Sequence, residues 1–274
     1  MTKPSVRFPT DAYLARIGIG GPAPVLADHA TAELDLAAID SLARAQHRAI
    51  PFENLDIHRG LVVNVSPGAI VDKLIAGRRG GICYELNGVL LLALRELGVR
   101  AQSIGAQVRT EAGLGLPLGH MAIVVGSGSA RHLIDGGFGG EMVTARVDFD
   151  DPGTWEIATG GGGYVLDGIP RELGEFASMA RWHSTDASSR FTGSVICTRD
   201  DGGSRYTLTS RRGETGYRLV TTGSDGTRVS EPVTMRKSTT LLRNLFGIEL
   251  DEPVAARDDL VHVKFHGVGN GSPR

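Results

Sequence analysis

The hydrophobic period of the chain changes near Gly98, and this change limits the folds that are open to it. Before Gly98, apolar residues recur at the three- and four-residue spacing of amphipathic helices. After Gly98, short segments of alternating polar and apolar residues are separated by glycine-rich turns, a pattern typical of antiparallel strands. The sequence therefore predicts an α+β protein in which helices come first and sheets follow.

The order of these segments predicts three parts. The part up to residue 98 is expected to be helical, the middle part to be an antiparallel sheet or barrel, and the last part to combine strands with helices. In the middle region the strands are predicted at Ser103–Val108, His120–Val125, Arg131–Asp135, Val143–Phe149 and Trp155–Ile157, with the four glycines 160–163 as a loop or bulge. Four further strands and a last helix, capped by Ser238 and ended by Gly247, are predicted for the last part.

Composition excludes several classes of protein. The chain has 29 Lys and Arg against 31 Asp and Glu, a formal charge of −2, which argues against binding nucleic acid or an anionic membrane. Its longest apolar run, Val89–Leu94, is too short to span a bilayer, and its first residues lack the apolar segment of a signal peptide. Two cysteines outside any Cys-x-x-Cys pair predict neither a disulfide framework nor a metal site, and a cytoplasmic location is expected.

A cysteine stands at the predicted start of a helix. The segment Arg79–Cys83 reads Arg-Gly-Gly-Ile-Cys, and an apolar helical face follows it up to Gly98. The free N–H groups and positive dipole at a helix N-terminus favour a thiolate, and Arg79 adds positive charge. The competing interpretation is a small buried hydrophobe, which is the usual state of a free cysteine and the one expected for Cys197.

A base for this thiol is suggested by the pairing of two predicted strands. If the hairpin has the four-residue loop Gly126–Ser129, Val125 pairs with Ala130, and paired positions sum to 255. His120 then lies directly opposite Asp135, close enough for the carboxylate to orient the imidazole. A His–Asp pair across a hairpin can equally be a structural hydrogen bond. With Cys83 it predicts a Cys-His-Asp triad.

The glycine-rich turn after Asp135 allows two interpretations. Residues 136–140 read Gly-Gly-Phe-Gly-Gly, which permits close approach of backbone to a phosphate-bearing ligand or a reacting carbonyl, or forms only a tight turn. Phe138 is a wall for a flat substrate or a core residue. His47 and His58 are secondary candidates, and His132 alternates to the strand face opposite Asp135. No organised neighbourhood is evident for the remaining histidines: His29, His183, His262 and His266.

With these motifs the chain resembles the arylamine N-acetyltransferase family over nearly its whole length. The most specific segments are Pro51–Leu55, Arg79–Asn87, Gly119–Met121 and Asp135–Gly140. The resemblance also implies the family's three-domain arrangement, with a helical bundle at residues 1–98, an antiparallel β-barrel at residues 99–192 and an α/β lid at residues 193–274. Two positions differ from the family's usual pattern, because Gly119 replaces a hydroxyl residue and Gly136 replaces a valine, and both changes are expected to widen the acceptor pocket.

The resemblance implies a reaction and assigns roles. Cys83 is expected to accept an acetyl group from acetyl-CoA, with His120 as base and Asp135 as its orienting carboxylate, and to pass it to an arylamine or arylhydrazine in xenobiotic metabolism. No metal is expected. The residues expected at the bound molecules are Phe52, Gly119 and Phe138 for the substrate and Gly139 and Gly140 for the acyl donor.

Three alternatives stay open at this point. The family includes amide synthases that close macrolactams with the same triad on a carrier-bound acyl chain. Cysteine hydrolases and transglutaminase-like enzymes carry the same three residue types. A binding protein with an inactive site is the third.

Overall fold

The computed structural model describes residues 7–27, 33–151, 155–160 and 162–256. Within these ranges, no helix is both long and apolar enough to cross a membrane. The predicted histidine candidates His29, His262 and His266 lie outside the described residues.

The first part of the chain is helical. Its longest helix, α5, begins at Cys83, and Gly98 ends it in the left-handed region with φ +81°, as predicted. The helix α4 begins with Pro67 as its first residue and continues into one π-helical turn, Asp72–Ala76. The elements of this part are α1 (Thr10–Arg16), α2 (Leu36–Ala49), β1 (Phe52–Glu53), α3 (Leu55–His58), α4 (Pro67–Val71) and α5 (Cys83–Glu96).

The middle part is a nearly closed, barrel-like antiparallel sheet. Its strands are ordered β6-β5-β4-β2-β8-β7, and the short strand β3 pairs with β2. Apolar side chains that alternate along β2, β4 and β5 fill its interior with Tyr164 and Leu166 of β8. The strands are β2 (Ala101–Thr110), β3 (Gly113–Leu114), β4 (His120–Val125), β5 (Ala130–Asp135), β6 (Val143–Asp148), β7 (Glu156–Thr159) and β8 (Gly162–Arg171).

The last part is a second antiparallel sheet covered by a helix. Its order is β1-β9-β10-β11-β12, so an early segment, Phe52–Glu53, forms its edge beside β9. Two helices and a 3-10 turn (Leu173–Phe176) lead into it and pack with the first helices through Phe176, Ala180 and Phe191. The elements are α6 (Ala177–Thr185), α7 (Arg190–Gly193), β9 (Ser194–Asp200), β10 (Ser204–Arg211), β11 (Gly216–Gly223), β12 (Arg228–Thr234) and α8 (Met235–Phe246).

The predicted α+β class, with a helical part, a barrel and an α/β end, is confirmed, but several elements differ from the predictions. Strand β8 begins at Gly162, within the glycine run interpreted as a loop, and strand β1 was not predicted. The last helix is capped by the Thr234 side chain, which accepts from Lys237 N at 3.3 Å, not by Ser238, which lies inside the helix. The divisions at residues 98 and 192 stay predictions.

Candidate active site

Cys83 is the first residue of α5, and the Glu85 side chain contacts the two residues that precede it. Glu85 accepts a 3.0 Å hydrogen bond from the Ile82 N–H, which satisfies one free donor at the helix start. A Cβ at Gly81 would lie 2.6 Å from the Glu85 carboxylate, so only glycine fits this approach. Cys83 is buried, with 3% of its surface exposed.

His120 and Asp135 meet inside the barrel beside this thiol. His120 Nε2 lies 2.7 Å from Asp135 Oδ2, and both side chains are buried. The second ring nitrogen of His120, Nδ1, is not used by Asp135, and the Cys83 side chain is close enough to His120 to favour its protonated form. The structure therefore brings the three predicted residues together in the order thiol, imidazole, carboxylate.

The pairing that suggested this contact is wrong in its register. In the β4–β5 ladder Ile123 pairs with Ile134 and Val125 with His132, so paired positions sum to 257 and the loop is six residues long. Asp135 is therefore diagonal to His120. The shift is an even number, which keeps both side chains on one face of the sheet, and diagonal neighbours remain within reach of a long side chain.

The charge on the imidazole is set by opposing effects. Burial of His120 disfavours its protonated form, but the Asp135 carboxylate, its hydrogen bond to the ring and the neighbouring Cys83 side chain outweigh burial and raise the pKa of His120 above its ordinary value. Burial also opposes ionisation of Asp135, yet His120 and the hydrogen bonds to the carboxylate lower the pKa of Asp135. The pair therefore favours an imidazolium beside a carboxylate, which can stabilise a thiolate.

Asn87 holds the carboxylate in place, and its role was not predicted. Its Nδ2 donates to Asp135 Oδ1 at 2.7 Å and to the Met121 carbonyl at 2.6 Å. The Gly137 N–H gives Asp135 Oδ1 a further bond of 2.9 Å. The sequence contained a signal for this role, because Asn87 follows Cys83 by four residues and so lies on the same face of α5.

Aromatic rings enclose the imidazole on its other sides. The His120 ring centroid lies 5.1 Å from that of Phe138 and 4.8 Å from that of Tyr164. The Tyr164 hydroxyl is buried near Asp135 without a well-aligned hydrogen bond, and burial followed by the Asp135 charge raises the pKa of Tyr164. The sequence gave no indication of a role for Tyr164, because its strand, β8, begins within the glycine run at residues 160–163.

Gly119 and His183 form a second group at the entrance to β4. His183 Nε2 lies 3.2 Å from the Gly119 carbonyl, and its ring packs against Tyr84 and Phe191. The prediction that His183 has no organised neighbourhood is therefore wrong. A Cβ on Gly119 would lie 2.9 Å from the Leu116 carbonyl, so this glycine serves a tight turn.

The turn after Asp135 borders a narrow crevice at the surface. A Cβ on Gly137 would lie 3.0 Å from the Cys83 Cα, so this turn packs directly on the thiol-bearing residue. Gly139 adopts φ +88° beside the Phe52 ring, and the Gly140 carbonyl accepts from Arg205 at 3.1 Å. The residues that line the crevice are His47, Ile50, Phe52, Gly136, Gly139, Gly140, Thr198, Arg199, Asp200 and Arg205.

Arg79 and Cys197 lie in surroundings that do not support a reactive thiol. Arg79 forms ion pairs of 2.7 Å with Glu53 and 3.0 Å with Asp56, so its charge is compensated away from Cys83. Cys197 is fully buried in β9, and burial raises the pKa of this thiol well above its ordinary value, as expected for a core residue. No cluster of three or more His, Cys, Asp or Glu able to hold a metal occurs among the described residues.

Comparison with known sequences shows what the chain is similar to. The sequence pattern of the N-acetyltransferase family matches residues 35–155 and 147–255. An arylamine N-acetyltransferase of Mycolicibacterium smegmatis is 36% identical over 142 residues, 49% of this chain and 48% of the relative. One of Mycobacterium bovis is 32% identical over 204 residues, 64% of this chain and 72% of the relative. The chain thus spans about half the length of the first of these relatives.

Comparison with solved structures agrees with the fold described above. The arylamine N-acetyltransferase of Mycobacterium marinum in complex with CoA superposes with a TM-score of 0.70 at 25% identity. The match covers 87% of this chain and 92% of that one.

Proposed function

The chain belongs to the arylamine N-acetyltransferase family, and we propose that it transfers acetyl groups from acetyl-CoA to arylamines or arylhydrazines through an acetyl-Cys83 intermediate. The observation that carries this proposal is the buried chain of contacts from Cys83 through His120 to Asp135, closed by the 2.7 Å imidazole–carboxylate bond. In this proposal Cys83 is the nucleophile, His120 the base, and Asp135 the carboxylate that orients His120.

The first half-reaction forms the acyl-enzyme. The Cys83 thiolate attacks the carbonyl carbon of acetyl-CoA, and the bond between that carbon and the CoA sulfur breaks. The CoA thiolate that leaves takes the proton of the His120 imidazolium, which restores neutral imidazole. Exchange of one thioester for another is nearly balanced in energy, so the alignment of thiol and imidazole on two rigid elements, α5 and β4, provides the acceleration.

The second half-reaction transfers the acetyl group to the amine. The amine nitrogen attacks the Cys83 thioester, the carbon–sulfur bond breaks, and His120 accepts the proton that the nitrogen loses. Cys83 is again a thiolate beside an imidazolium. Arylamines suit this step, because they are weak bases and largely neutral at pH 7.

The surroundings suggest where the two substrates bind. Phe138 lies edge-on to His120 and supplies an apolar wall for a flat acceptor, and Phe52 and Gly119 are our other candidates for contact with the acceptor. Gly139 and Gly140, with Arg205 beside them, are our candidates for contact with the acyl donor. Because Cys83 is buried, we infer that the elements around this crevice separate when the donor enters.

We also propose a cellular location and a biological role for this activity. Both cysteines are free thiols, which accords with a reducing, cytoplasmic environment in which a nucleophilic thiol persists. Acetylation of foreign aromatic amines and hydrazines is the role that we propose there.

The decisive experiment is the intact mass of the protein after mixing with acetyl-CoA alone. We expect one added acetyl group in the wild type and in Cys197→Ser, and none in Cys83→Ser. Cys197 is the matched control, because it is a buried free thiol in the C-terminal sheet. Acetylation of Cys83→Ser, or arylamine turnover by that variant, would overturn the proposal.

The same experiment separates the alternatives. Rapid loss of the acetyl group to water without an amine indicates a hydrolase. Acylation from carrier-bound acyl chains, but not from acetyl-CoA, indicates an amide synthase, and no acylation indicates an inactive site. The named relatives described above favour none of these.

A further inference from the structure

A second, open cavity lies between α1, α2 and the end of α8 and is lined by four arginines. Its volume is about 570 Å³, which is within the range of ligand pockets. Arg16 comes from α1, Arg48 from α2, Arg78 from the loop before α5, and Arg199 from β9. The remaining lining residues are small or apolar: Ala15, Ile17, Gly18, Ala45, Ala49, Phe246 and Gly247.

The positive charge of this cavity has little compensation from the protein, although Asp201, in the turn after β9, interacts electrostatically with Arg199 without forming an ion pair. Among the residues that the structure describes, none of the four arginines forms an ion pair with a carboxylate. Arg16 is the clearest case, since only 9% of its surface is exposed. Burial, followed by repulsion from Arg78 and Arg199, lowers the pKa of Arg16 to about 10. A buried charge is normally paired, so this arrangement favours an external anion.

Two of the guanidinium groups are fixed in position by backbone carbonyls. Arg16 donates from Nη1 to Ala49 O at 2.9 Å and from Nε to Leu74 O at 3.2 Å. Arg199 donates from Nε to Arg48 O at 2.7 Å and from Nη1 to Leu245 O at 3.0 Å. These bonds cap helix C-termini, which is a structural role. A guanidinium has five N–H donors, so both groups retain donors for a ligand.

Arg78 and Arg48 have no such structural role. Both side chains are exposed. The Arg78 backbone carbonyl accepts from Arg16 and the Arg48 carbonyl from Arg199, but neither Arg78 nor Arg48 donates from its own guanidinium group to a described residue. Arg78 also adopts φ +49°, a left-handed conformation that glycine would adopt at lower cost. A residue other than glycine at this strained position beside the cavity points to a function for the Arg78 side chain.

We propose that this cavity binds a small anion that carries two or more phosphate groups. A single carboxylate would neutralise one of four arginines, whereas phosphates carry more charge and accept the paired donors of guanidinium groups. Arg199 also lines the crevice at Gly136, so two sources share this chemistry: the phosphorylated adenosine end of the acyl donor and a separate phosphorylated metabolite. The first source rests on the proposed function and the second does not.

The test is calorimetric titration of the full-length protein with adenosine 3′,5′-bisphosphate and, separately, with inorganic pyrophosphate. We expect saturable binding that weakens with added salt and falls at least about tenfold in the double variant Arg48→Gln/Arg78→Gln. The control is Arg218→Gln, which removes an exposed arginine on β11 and should bind as the wild type does. Absence of binding to the wild type, or equal binding to the double variant, would overturn the proposal.

Steady-state kinetics assign the source. If the site holds the donor, the KM for acetyl-CoA rises in the double variant and adenosine 3′,5′-bisphosphate competes with acetyl-CoA. If it holds a separate metabolite, the bisphosphate binds without competing. Because binding is measured without acetyl transfer, a protein that fails to acetylate Cys83 can still show the site, so the two proposals fail independently.

Discussion

The Asp135 carboxylate is fully buried, and three donors satisfy it. His120, Asn87 and the Gly137 N–H all lie within 2.9 Å of its oxygens. A carboxylate held in this way keeps its charge and fixes the orientation of the imidazole. The electrostatic function of the site therefore depends on the groups that surround Asp135 as much as on Cys83.

Asn87→Ala should slow acetylation of Cys83. The change removes the amide donor to Asp135 and leaves part of a buried carboxylate unsatisfied, which costs about 1.5–3 kcal/mol for a bond to a charged group. We expect the rate of acetyl-Cys83 formation from acetyl-CoA to fall by about ten- to a hundredfold. Rapid-quench mass spectrometry measures this rate. Asn244→Ala, at an exposed position of α8, is the control and should react at the wild-type rate.

Stability should depend on pH through His120. Its pKa is raised in the folded protein, so its contribution is complete below the unfolded value of about 6.5 and is lost as pH rises through the folded pKa. We therefore expect the free energy of unfolding to decrease from pH 6.5 to pH 9. Asp135→Asn removes the carboxylate that favours the imidazolium, and this variant should show a smaller decrease in urea titrations at the two pH values. Parallel decreases in the two proteins would contradict the assignment.

The sequence indicated the reactive residues better than the residues that pack around them. Cys83, His120 and Asp135 could be selected because each stands at the end of a helix or strand with a readable period. His183 was missed because its neighbours, Tyr84 and Gly119, are distant in sequence and only the fold brings them together.

The central element is the hairpin of β4 and β5 together with the turn that follows it. The hairpin places His120 and Asp135 on one face, and the turn folds back onto α5 so that Gly137 contacts Cys83 and Asn87. Two adjacent glycines in this turn have different surroundings. A Cβ at Gly136 would have its nearest neighbours at 3.8 and 3.9 Å, whereas one at Gly137 would lie 2.8 Å from Asn87 Nδ2.

Gly137→Ala should destabilise the protein while Gly136→Ala should not. Neither glycine has a positive φ, so the difference tests packing alone. Overpacking of this kind costs about 1–3 kcal/mol, and we expect that loss for Gly137→Ala in urea unfolding, together with slower acetylation of Cys83. Gly136→Ala provides the matched control with the same added methyl group. Equal effects of the two substitutions would show that the turn does not pack on α5 as described.

Elements with a clear period could be predicted, and those without one could not. Strands β4 and β5 were placed almost to the residue, because each alternates between turns rich in glycine. Strand β8 was missed because its start lies within a glycine run, and β1 because two residues show no period at all. The hairpin register was wrong by two residues, since the sequence did not reveal the length of the loop.

The whole molecule is joined by the segment that contains β1. Phe52 and Glu53 lie between helices of the first part, yet they pair with Thr198 and Cys197 at the edge of the last sheet. Sequence order predicted the helical, barrel and α/β parts, but it gave no sign that the first and last parts share a sheet. Such a contact depends on residues more than 140 positions apart, and a local pattern carries no information about it.

Buried hydrogen bonds of Asn54 fix β1 against the last sheet, and a substitution of Asn54 tests this connection. Its buried amide donates from Nδ2 to Phe191 O and Ser194 O, each at 2.8 Å, and its Oδ1 accepts from Ile196 N at 2.7 Å. Asn54→Asp keeps the volume but places a carboxylate oxygen against two carbonyls. Because a donor is lost and a charge is buried, we expect the free energy of unfolding to fall by about 3 kcal/mol or more.

The form of this unfolding transition distinguishes a shared structure from two independent ones. If β1 unites the first and last parts, the urea midpoint of Asn54→Asp should fall in one transition with an unchanged slope, seen alike by circular dichroism and tryptophan fluorescence. Asn244→Asp, on the exposed face of α8, should leave the midpoint unchanged. Two separated transitions in Asn54→Asp would show that the C-terminal sheet unfolds alone, and the pairing of β1 with β9 would then contribute little to the cooperativity of the fold.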